Sequence, residues 1–295
     1  MKNNIVKIRW TRSGTLKRNT AMVLLFFSFS INGSSQDAAI VDVEGNTYKT
    51  VKIGHQIWMA KNLNVGKFRN GDPIPYAKTK EEWHKATENQ QPAWCYYDYN
   101  ASNGRKYGKL YNWYAVIDSR GLAPARCHIP SKTEWEKLVD YLGKGAGTKM
   151  KSTSGWNSYT TGGSKTCPNC QYWNTEYRNK VPCHTCRDTR KVSAPTKSYS
   201  GNGLNSIGFD GLPAGYSAGG GRHHYLGSEG SWWSSTEIST ERAGAIALQS
   251  RDITNFHTTQ SYNISPYKFW GLSVRCLASK QTVSDDLIKM KETNS

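Results

Sequence analysis

The sequence lacks several features that mark common classes of protein. After residue 35, no apolar run approaches the roughly 20 helical residues that cross a bilayer, so no integral membrane segment is expected in the mature chain. The aliphatic content is low, which argues against a helical bundle, and no repeat is evident. The chain has instead 11 Trp and 17 Tyr, which indicate aromatic packing and adhesive surfaces. Its mature part of about 260 residues is long enough for one domain with a substantial core.

The first 35 residues have the layout of a secretory signal peptide. They contain six Lys and Arg residues and no acidic residue, followed by an apolar run at residues 21–31 and by Gly33, Ser34 and Ser35. Cleavage is expected before Gln36. The apolar run of about 11 residues is too short for a membrane span. We therefore predict a secreted or extracytoplasmic protein, at the cell surface or in the periplasm; the alternatives are a retained anchor and a mis-assigned start codon.

The positive charge of the chain is not arranged for nucleic-acid binding. Of its 39 Lys and Arg residues, 33 remain when the six in the N-terminal segment are removed, against 22 Asp and Glu, which gives a net charge of +11. These residues are scattered among Tyr, Trp and Gly, with no basic stripe and no known binding module. No nucleic-acid partner is expected. Weak adhesion to anionic glycans or envelope polymers is the simpler interpretation.

One clearly amphipathic helix is predicted, over residues 131–142. Ser131 and Glu134 have the spacing of a capping box, and Gly143 follows as a stop signal. The apolar stripe of this helix consists of Trp135, Leu138, Val139 and Leu142. Elsewhere the pattern predicts short elements: a meander at residues 38–64, an exposed helix at 80–87 carrying Trp83, a strand running into a helix at 107–115, and strands at 243–248 and 269–277. Residues 144–165 are a predicted loop, residues 201–237 are rich in Gly and aromatic residues, and residues 280–295 are a polar tail.

The strongest chemical motif is a block of four cysteines. Cys167 and Cys170 form one C-x2-C pair, Cys183 and Cys186 form another, and 12 residues separate the pairs. This spacing predicts a structural zinc site in an inserted segment, residues 165–190, because two such turns bring four thiolates to one point. The alternative is disulfide bonds, since an exported protein meets an oxidising compartment. In both cases the role is structural, because four protein ligands leave no open position for catalysis.

Catalytic residues are not predicted. His223 and His224 beside Glu229 are the nearest candidates for a metal or acid–base group, but a Gly-flanked pair of histidines is more often a solvated loop tip, and no third ligand is placed by spacing. Glu237 and Arg275 are expected to pair inside the domain as a structural ion pair.

Four stretches of the chain, in order, match one family. They are V-K-I-G-H-Q-I-W-M-A-K-N-L at residues 51–63, Y-G-K-L-Y-N-W-Y-A-V at 107–116, H-I-P-S-K-T-E-W-E-K-L at 128–138, and a gapped set of G-L-P-A-G-Y, G-S-E-G-S-W-W-S-S-T-E and S-V-R-C-L at 211–216, 227–237 and 273–277. The chain resembles the Fibrobacter succinogenes major paralogous domain, which occurs in secreted and surface proteins. The resemblance implies one domain over residues 36–279, with the four-cysteine insertion inside it. It brings no established activity.

A more distant similarity implies a fold. H-I-P-S-K-T-E-W-E is similar to the R-L-P-T-E-A-E-W-E signature of the formylglycine-generating enzyme group. This implies an α+β, C-type-lectin-like single domain with few helices, short antiparallel strands and long Gly- and aromatic-rich loops. Those enzymes bind copper through a pair of cysteines late in the domain, where this chain has only Cys276. Related sequences also imply a bridge between Cys127 and Cys276, for which Cys95 is a competitor.

We therefore expect a secreted or cell-surface module without enzymatic activity, which binds a glycan or a surface protein through its loops. The alternatives are a catalytically active relative of the formylglycine-generating group and an envelope scaffold without a ligand.

Overall fold

The computed structural model describes residues 39–166, 191–251, 257–258 and 265–279. These residues form a mixed fold with few helices and short strands. The helices are α1 (Lys80–Glu88), α2 (Ala101–Tyr107), α3 (Trp113–Val116), α4 (Lys132–Leu142) and α5 (Ala146–Met150). The strands are β1 (Ile40–Val41), β2 (Thr47–Tyr48), β3 (Thr50–Ile53), β4 (Gln56–Met59), β5 (Trp94–Cys95), β6 (Leu110–Tyr111), β7 (Cys127–His128), β8 (Tyr159–Thr166), β9 (Lys191–Tyr199), β10 (Tyr216–Ser217), β11 (His223–His224), β12 (Glu229–Glu237), β13 (Ala243–Gln249), β14 (His257–Thr258) and β15 (Leu277–Ala278).

The strands pair antiparallel in small sheets. The largest has the order β3-β4-β15-β7 and joins the start of the domain to its end. A second sheet has the order β12-β13-β14, and four further pairs are β1-β2, β5-β6, β8-β9 and β10-β11. Within the described ranges, no helix combines the length and apolarity needed to cross a bilayer.

Helix α4 forms as predicted and packs on the main aromatic cluster. Ser131 accepts a hydrogen bond from the Glu134 amide (3.3 Å) and donates its own N–H to the Glu134 carboxylate (2.8 Å), so the capping box is complete. The Trp135 ring lies 4.5 Å from the ring of Trp58, and both are buried. Leu138 and Leu142 complete the buried stripe. The apolar spacing in the sequence therefore identified the correct face of this helix.

The β12–β13 pair separates two parts of the core. Trp232 and Ile246 point towards α4 and its cluster. The next residue, Trp233, points the other way, and its indole N–H donates to the Tyr111 carbonyl (2.7 Å). Trp113 likewise donates to the Ser234 carbonyl (2.9 Å). Because successive side chains of a strand alternate in direction, two adjacent tryptophans can serve two clusters.

A buried arginine joins its own segment to residues 59–62 and 209–210. Arg275 is 0% exposed, and its guanidinium donates to the carbonyls of Met59 (3.1 Å), Phe209 and Asp210 (3.4 Å) and to the Asn62 side-chain oxygen (2.8 Å). The same Asn62 oxygen accepts the indole N–H of Trp232 (2.8 Å). Burial lowers the pKa of Arg275 to about 9.

The expected pair of Glu237 and Arg275 is therefore wrong. Glu237 lies at the exposed end of β12 and accepts a hydrogen bond from Lys268 instead. The guanidinium of Arg275 is turned inwards, where its planar set of N–H donors matches carbonyl oxygens converging from different loops.

Three other predictions need correction. The predicted exposed helix at residues 80–87 is present as α1, but its Trp83 is fully buried. Residues 144–165, predicted as loop, contain α5 and most of β8, which pairs with β9 along a polar ribbon. Residues 269–277, predicted as a strand, make isolated bridges from Gly271, Leu272 and Ser273 to three different segments before β15 begins. Side-chain pattern alone did not show these irregular backbone pairings.

Candidate binding groove

The candidate site is a groove on one half of a face of the β12–β13 pair. The cross-strand pairs on this face are Glu229 with Gln249, Ser231 with Ala247, and Trp233 with Ala245. At the Trp233 end the face is buried in the core, whereas Ala247 and Gln249 reach solvent. The solvent-exposed half of this face therefore forms the floor of a groove of about 850 Å³. The small side chains of the floor leave that space open.

Aromatic side chains form the wall beside this floor. The rings of Tyr216 and Trp270 stack in parallel, with centroids 5.0 Å apart and planes 5° apart. Tyr225 lies 5.7 Å from Tyr216 and is 57% exposed. The β10–β11 pair, in which Tyr216 faces His224, holds this group in place. Rings packed against one another lose little conformational entropy when a ligand covers their exposed apolar surface.

A carboxylate and an amide occupy one end of the floor. The Glu229 carboxylate accepts hydrogen bonds from the Ser231 hydroxyl (2.6 Å) and from the Gln249 amide (3.2 Å). Burial raises the pKa of Glu229, and these two hydrogen bonds oppose the rise only in part. Each carboxylate oxygen has two lone pairs, so both oxygens keep capacity for another donor. This end can accept hydroxyl or amide hydrogens from a ligand.

An arginine lies at the opposite end of β13. Arg242 and Gln249 are separated by seven residues, which is about 23 Å along a strand. The Arg242 guanidinium lies 3.8 Å from the centroid of the Tyr267 ring and donates to the Ser265 carbonyl. Tyr267 in turn stacks on Phe269, 4.9 Å between centroids. The groove is therefore elongated and has aromatic surface at both ends.

The two histidines of the sequence motif point to opposite sides of the β10–β11 pair. His224 is exposed and lies near Tyr216 and Tyr225, two residues of the aromatic wall. The side chain of His223 is 2% exposed, with one ring nitrogen 3.7 Å from the Cys95 sulfur and the other 3.7 Å from the Asp98 carboxylate. Burial lowers the pKa of His223 to about 4, so its ring is neutral near pH 7.

The candidate group of His223, His224 and Glu229 is therefore not assembled. His223 faces the interior, His224 faces solvent, and the hydrogen bonds of Glu229 go to Ser231 and Gln249. In the part of the chain that the structure describes, no three His, Cys, Asp or Glu side chains lie close enough to hold a metal ion.

The cysteines divide into two groups. The predicted zinc ligands Cys167, Cys170, Cys183 and Cys186 lie outside the described residues, and their arrangement stays a prediction. The remaining cysteines are Cys95, Cys127 and Cys276.

All three of these cysteines are buried, free thiols, so the expected Cys127–Cys276 bridge is not formed. Cys127 and Cys276 share one core cluster, and the pairing of β7 with β15 places Cys127 opposite Ala278. Burial raises the pKa of Cys127 to about 11, and it raises the pKa values of Cys95 and Cys276 well above the ordinary value. All three are protonated near pH 7.

Sequence reasoning found part of the groove. The Gly- and aromatic-rich residues 201–237 contain Tyr216, Tyr225 and Glu229, but Gln249 and Trp270 come from outside that range. The signal for the polar end was the alternation from Glu229 through Ser231 to Trp233, which has the period of a strand with two different faces. Gln249, the cross-strand partner of Glu229, can be identified only when the register of β13 against β12 is known.

Comparison with known proteins gives one match. No curated protein and no solved structure matches the chain. The model of the Fibrobacter succinogenes major domain family matches residues 51–278, which include the helix α4, the β12–β13 pair and the groove. The chain belongs to the Fibrobacter succinogenes major domain family.

Proposed function

We propose that this protein is an exported, non-enzymatic binding module and that its groove takes a saccharide. The observation that carries the proposal is the rigid aromatic wall of Tyr216, Tyr225 and Trp270 beside a floor of small and hydroxyl-bearing side chains. An aromatic ring covers the C–H face of a sugar, while hydroxyl, amide and carboxylate groups bind its hydroxyls. Both kinds of surface line the same groove.

The pairing of β13 favours a saccharide over an extended peptide. A peptide that adds to a sheet needs an unpaired strand edge. Strand β13 pairs with β12 on one side and with β14 on the other, at Ile246 and Ala247. At these two residues the outer edge of β13 is already occupied, so a ligand there meets side chains rather than main-chain donors and acceptors, which suits a ligand that is itself rich in hydroxyl groups.

Two features oppose a catalytic role. Glycoside hydrolysis ordinarily needs two carboxyl groups flanking the bond that breaks. Glu229 is the one acidic residue among the described residues that line the groove. The alternative of a formylglycine-generating relative needs reactive thiolates, but Cys127 and Cys276 are buried and protonated.

The rest of the proposal concerns location and architecture. Residues 1–35 direct export, the mature chain acts at the cell surface or in the periplasm, and residues 36–279 have a C-type-lectin-like arrangement of their short strands and loops. A structural zinc ion bound by Cys167, Cys170, Cys183 and Cys186 holds the insertion at residues 165–190, with disulfides as the alternative.

A glycan array with the mature protein tests the function. We expect a defined subset of saccharides to bind, and Tyr225→Ala to weaken that binding at least about tenfold, or about 1.4 kcal/mol, because an exposed aromatic anchor is lost. The matched control is Tyr141→Ala on α4, where the tyrosine is 66% exposed and outside the groove. Absence of binding to any saccharide, or equal losses in the two variants, would overturn the proposal.

A further inference from the structure

The net charge and the groove lead to different expectations about the ligand. A mature chain with a net charge of +11 predicts adhesion to polyanions, including glycans rich in uronic acids or sulfate. Specific recognition, however, depends on the groups inside the binding site rather than on net charge. The charged groups of the groove therefore decide which class of saccharide fits.

The carboxylate in the groove disfavours an anionic ligand. Glu229 lies on the floor, and the Ser231 hydroxyl and Gln249 amide that contact it are neutral. A second carboxylate or a sulfate brought beside it meets repulsion in a partly desolvated place, where charges interact more strongly than in water. The hydroxyl groups of a neutral sugar meet open lone pairs instead.

The arginines that line the groove do not offset this repulsion. The Arg242 guanidinium is engaged by the Ser265 carbonyl and by the face of Tyr267, and the backbone of Arg242 is seven residues, or about 23 Å along a strand, from that of Gln249. Arg251 follows the end of β13 and is exposed. Exposed charges at the rim of a site change association rates more than they select a ligand.

We infer that the ligand of the groove is a neutral saccharide, in which two adjacent hydroxyls bridge the Glu229 carboxylate and the Gln249 amide while the ring lies on the wall of Tyr225 and Tyr216. The geometry suits this arrangement because Glu229 and Gln249 are a cross-strand pair. Their Cβ atoms are about 4.5–5.5 Å apart in such a pair. One carboxylate and one amide then supply both acceptors and donors to a diol. This inference rests on the function proposed above.

The test compares two oligosaccharides that differ only in oxidation at C6, a neutral hexose chain and its uronic acid counterpart. Affinities are measured by calorimetry at high ionic strength, which screens adhesion through the exposed basic surface. We expect the wild-type protein to bind the neutral chain at least about tenfold more tightly. Glu229→Gln should weaken neutral binding by about tenfold, since a charge-assisted hydrogen bond becomes a neutral one, and should abolish the discrimination.

A matched control and the contrary outcomes complete the design. Glu88→Gln removes an exposed carboxylate from α1, away from the groove, and should change neither affinity. Tighter binding of the uronic acid chain, or unchanged discrimination in Glu229→Gln, overturns the inference. If the inference fails in this way but Tyr225→Ala still abolishes binding of the tighter-binding chain, the groove remains a saccharide site. Failure of both chains and of every saccharide on the array overturns the proposed function as well.

Discussion

Replacing Arg275 by Met should destabilise the fold more than most substitutions would. The guanidinium donates to the buried carbonyls of Met59 and Phe209, to the partly buried carbonyl of Asp210 and to the Asn62 side chain, and within the described residues no carboxylate bonds to it. Asn62 keeps a donor after the substitution, because Trp232 bonds to the same oxygen. Up to three carbonyls are then left without a donor. Two of them, at Met59 and Phe209, are buried, and each unpaired buried group costs about 1–3 kcal/mol, so the gross loss is about 2–6 kcal/mol.

Part of this loss is recovered because the variant no longer buries a charge. Keeping an ion away from water carries a penalty of several kcal/mol, and Met fills a similar volume without it. We therefore expect a net loss of about 1–4 kcal/mol, against a total stability of about 5–15 kcal/mol for a typical domain. Arg275→Lys should fall between wild type and Arg275→Met, since its ammonium keeps the charge but cannot reach all four acceptors.

Urea unfolding followed by tryptophan fluorescence measures these differences. The control is Arg105→Met on α2, where the arginine is exposed, and it should stay within about 0.5 kcal/mol of wild type. If Arg275→Met is too unstable to purify, the Lys variant and Asn62→Ala still test the account. Their effects should be non-additive, because the two residues share a hydrogen bond. An unfolding free energy for Arg275→Met equal to that of wild type would refute the role assigned to this arginine.

Three further predictions concern other parts of the chain. Burial lowers the pKa of His223 from 6.5 to about 4, so between these pH values the folded state binds fewer protons than the unfolded state. The free energy of unfolding should therefore fall by up to about 3 kcal/mol as the pH drops from 6.5 to 4. In urea unfolding, His223→Gln should flatten this dependence on pH. Burial raises the pKa of Glu229, so the contribution of this residue to stability should decline as the pH rises above 4.5. Glu229→Gln should therefore raise the thermal unfolding midpoint at pH 7 and lose that advantage in acid. A lower midpoint for the variant at pH 7 would contradict this. N-terminal sequencing of the exported protein should find a start near Gln36, and an intact Met1 would contradict this. The exported protein should also carry about one zinc per chain, which Cys183→Ser should lose. The absence of metal together with the absence of free thiols in the four-cysteine block would contradict the zinc site.

The sequence was most informative where one short segment contains its own signals. Helix α4 has its cap, its stripe and its stop within 13 residues of one another, and each is a local property. The β3–β4 hairpin and β13 are similarly recognisable from their own residues. The partner of Arg275 was not predictable in this way. Its acceptors come from residues 59–62 and 209–210, which the sequence does not link to it, and charge alone suggested Glu237 instead.

The groove shows the same limit for function. Its aromatic residues were visible as a composition bias, and Glu229 was noticed because it follows two histidines. The actual neighbours of Glu229 depend on which residue of β13 faces it, and that register places Gln249 there rather than a histidine. His223 was a candidate ligand because of its type, whereas the alternation of β11 turns it inwards against Cys95. Register and strand direction, rather than residue type, decided which side chains share the site.

The most direct test of the binding groove is a titration that observes its wall. In a two-dimensional NMR spectrum, the indole N–H of Trp270 should shift progressively as a saccharide selected on the array is added, because Trp270 stacks on Tyr216 at the groove. The indole signals of Trp58 and Trp135, both buried on the other side of the β12–β13 pair, should stay in place. A saccharide that binds while the Trp270 signal remains unchanged would contradict the assignment of this groove as the binding site.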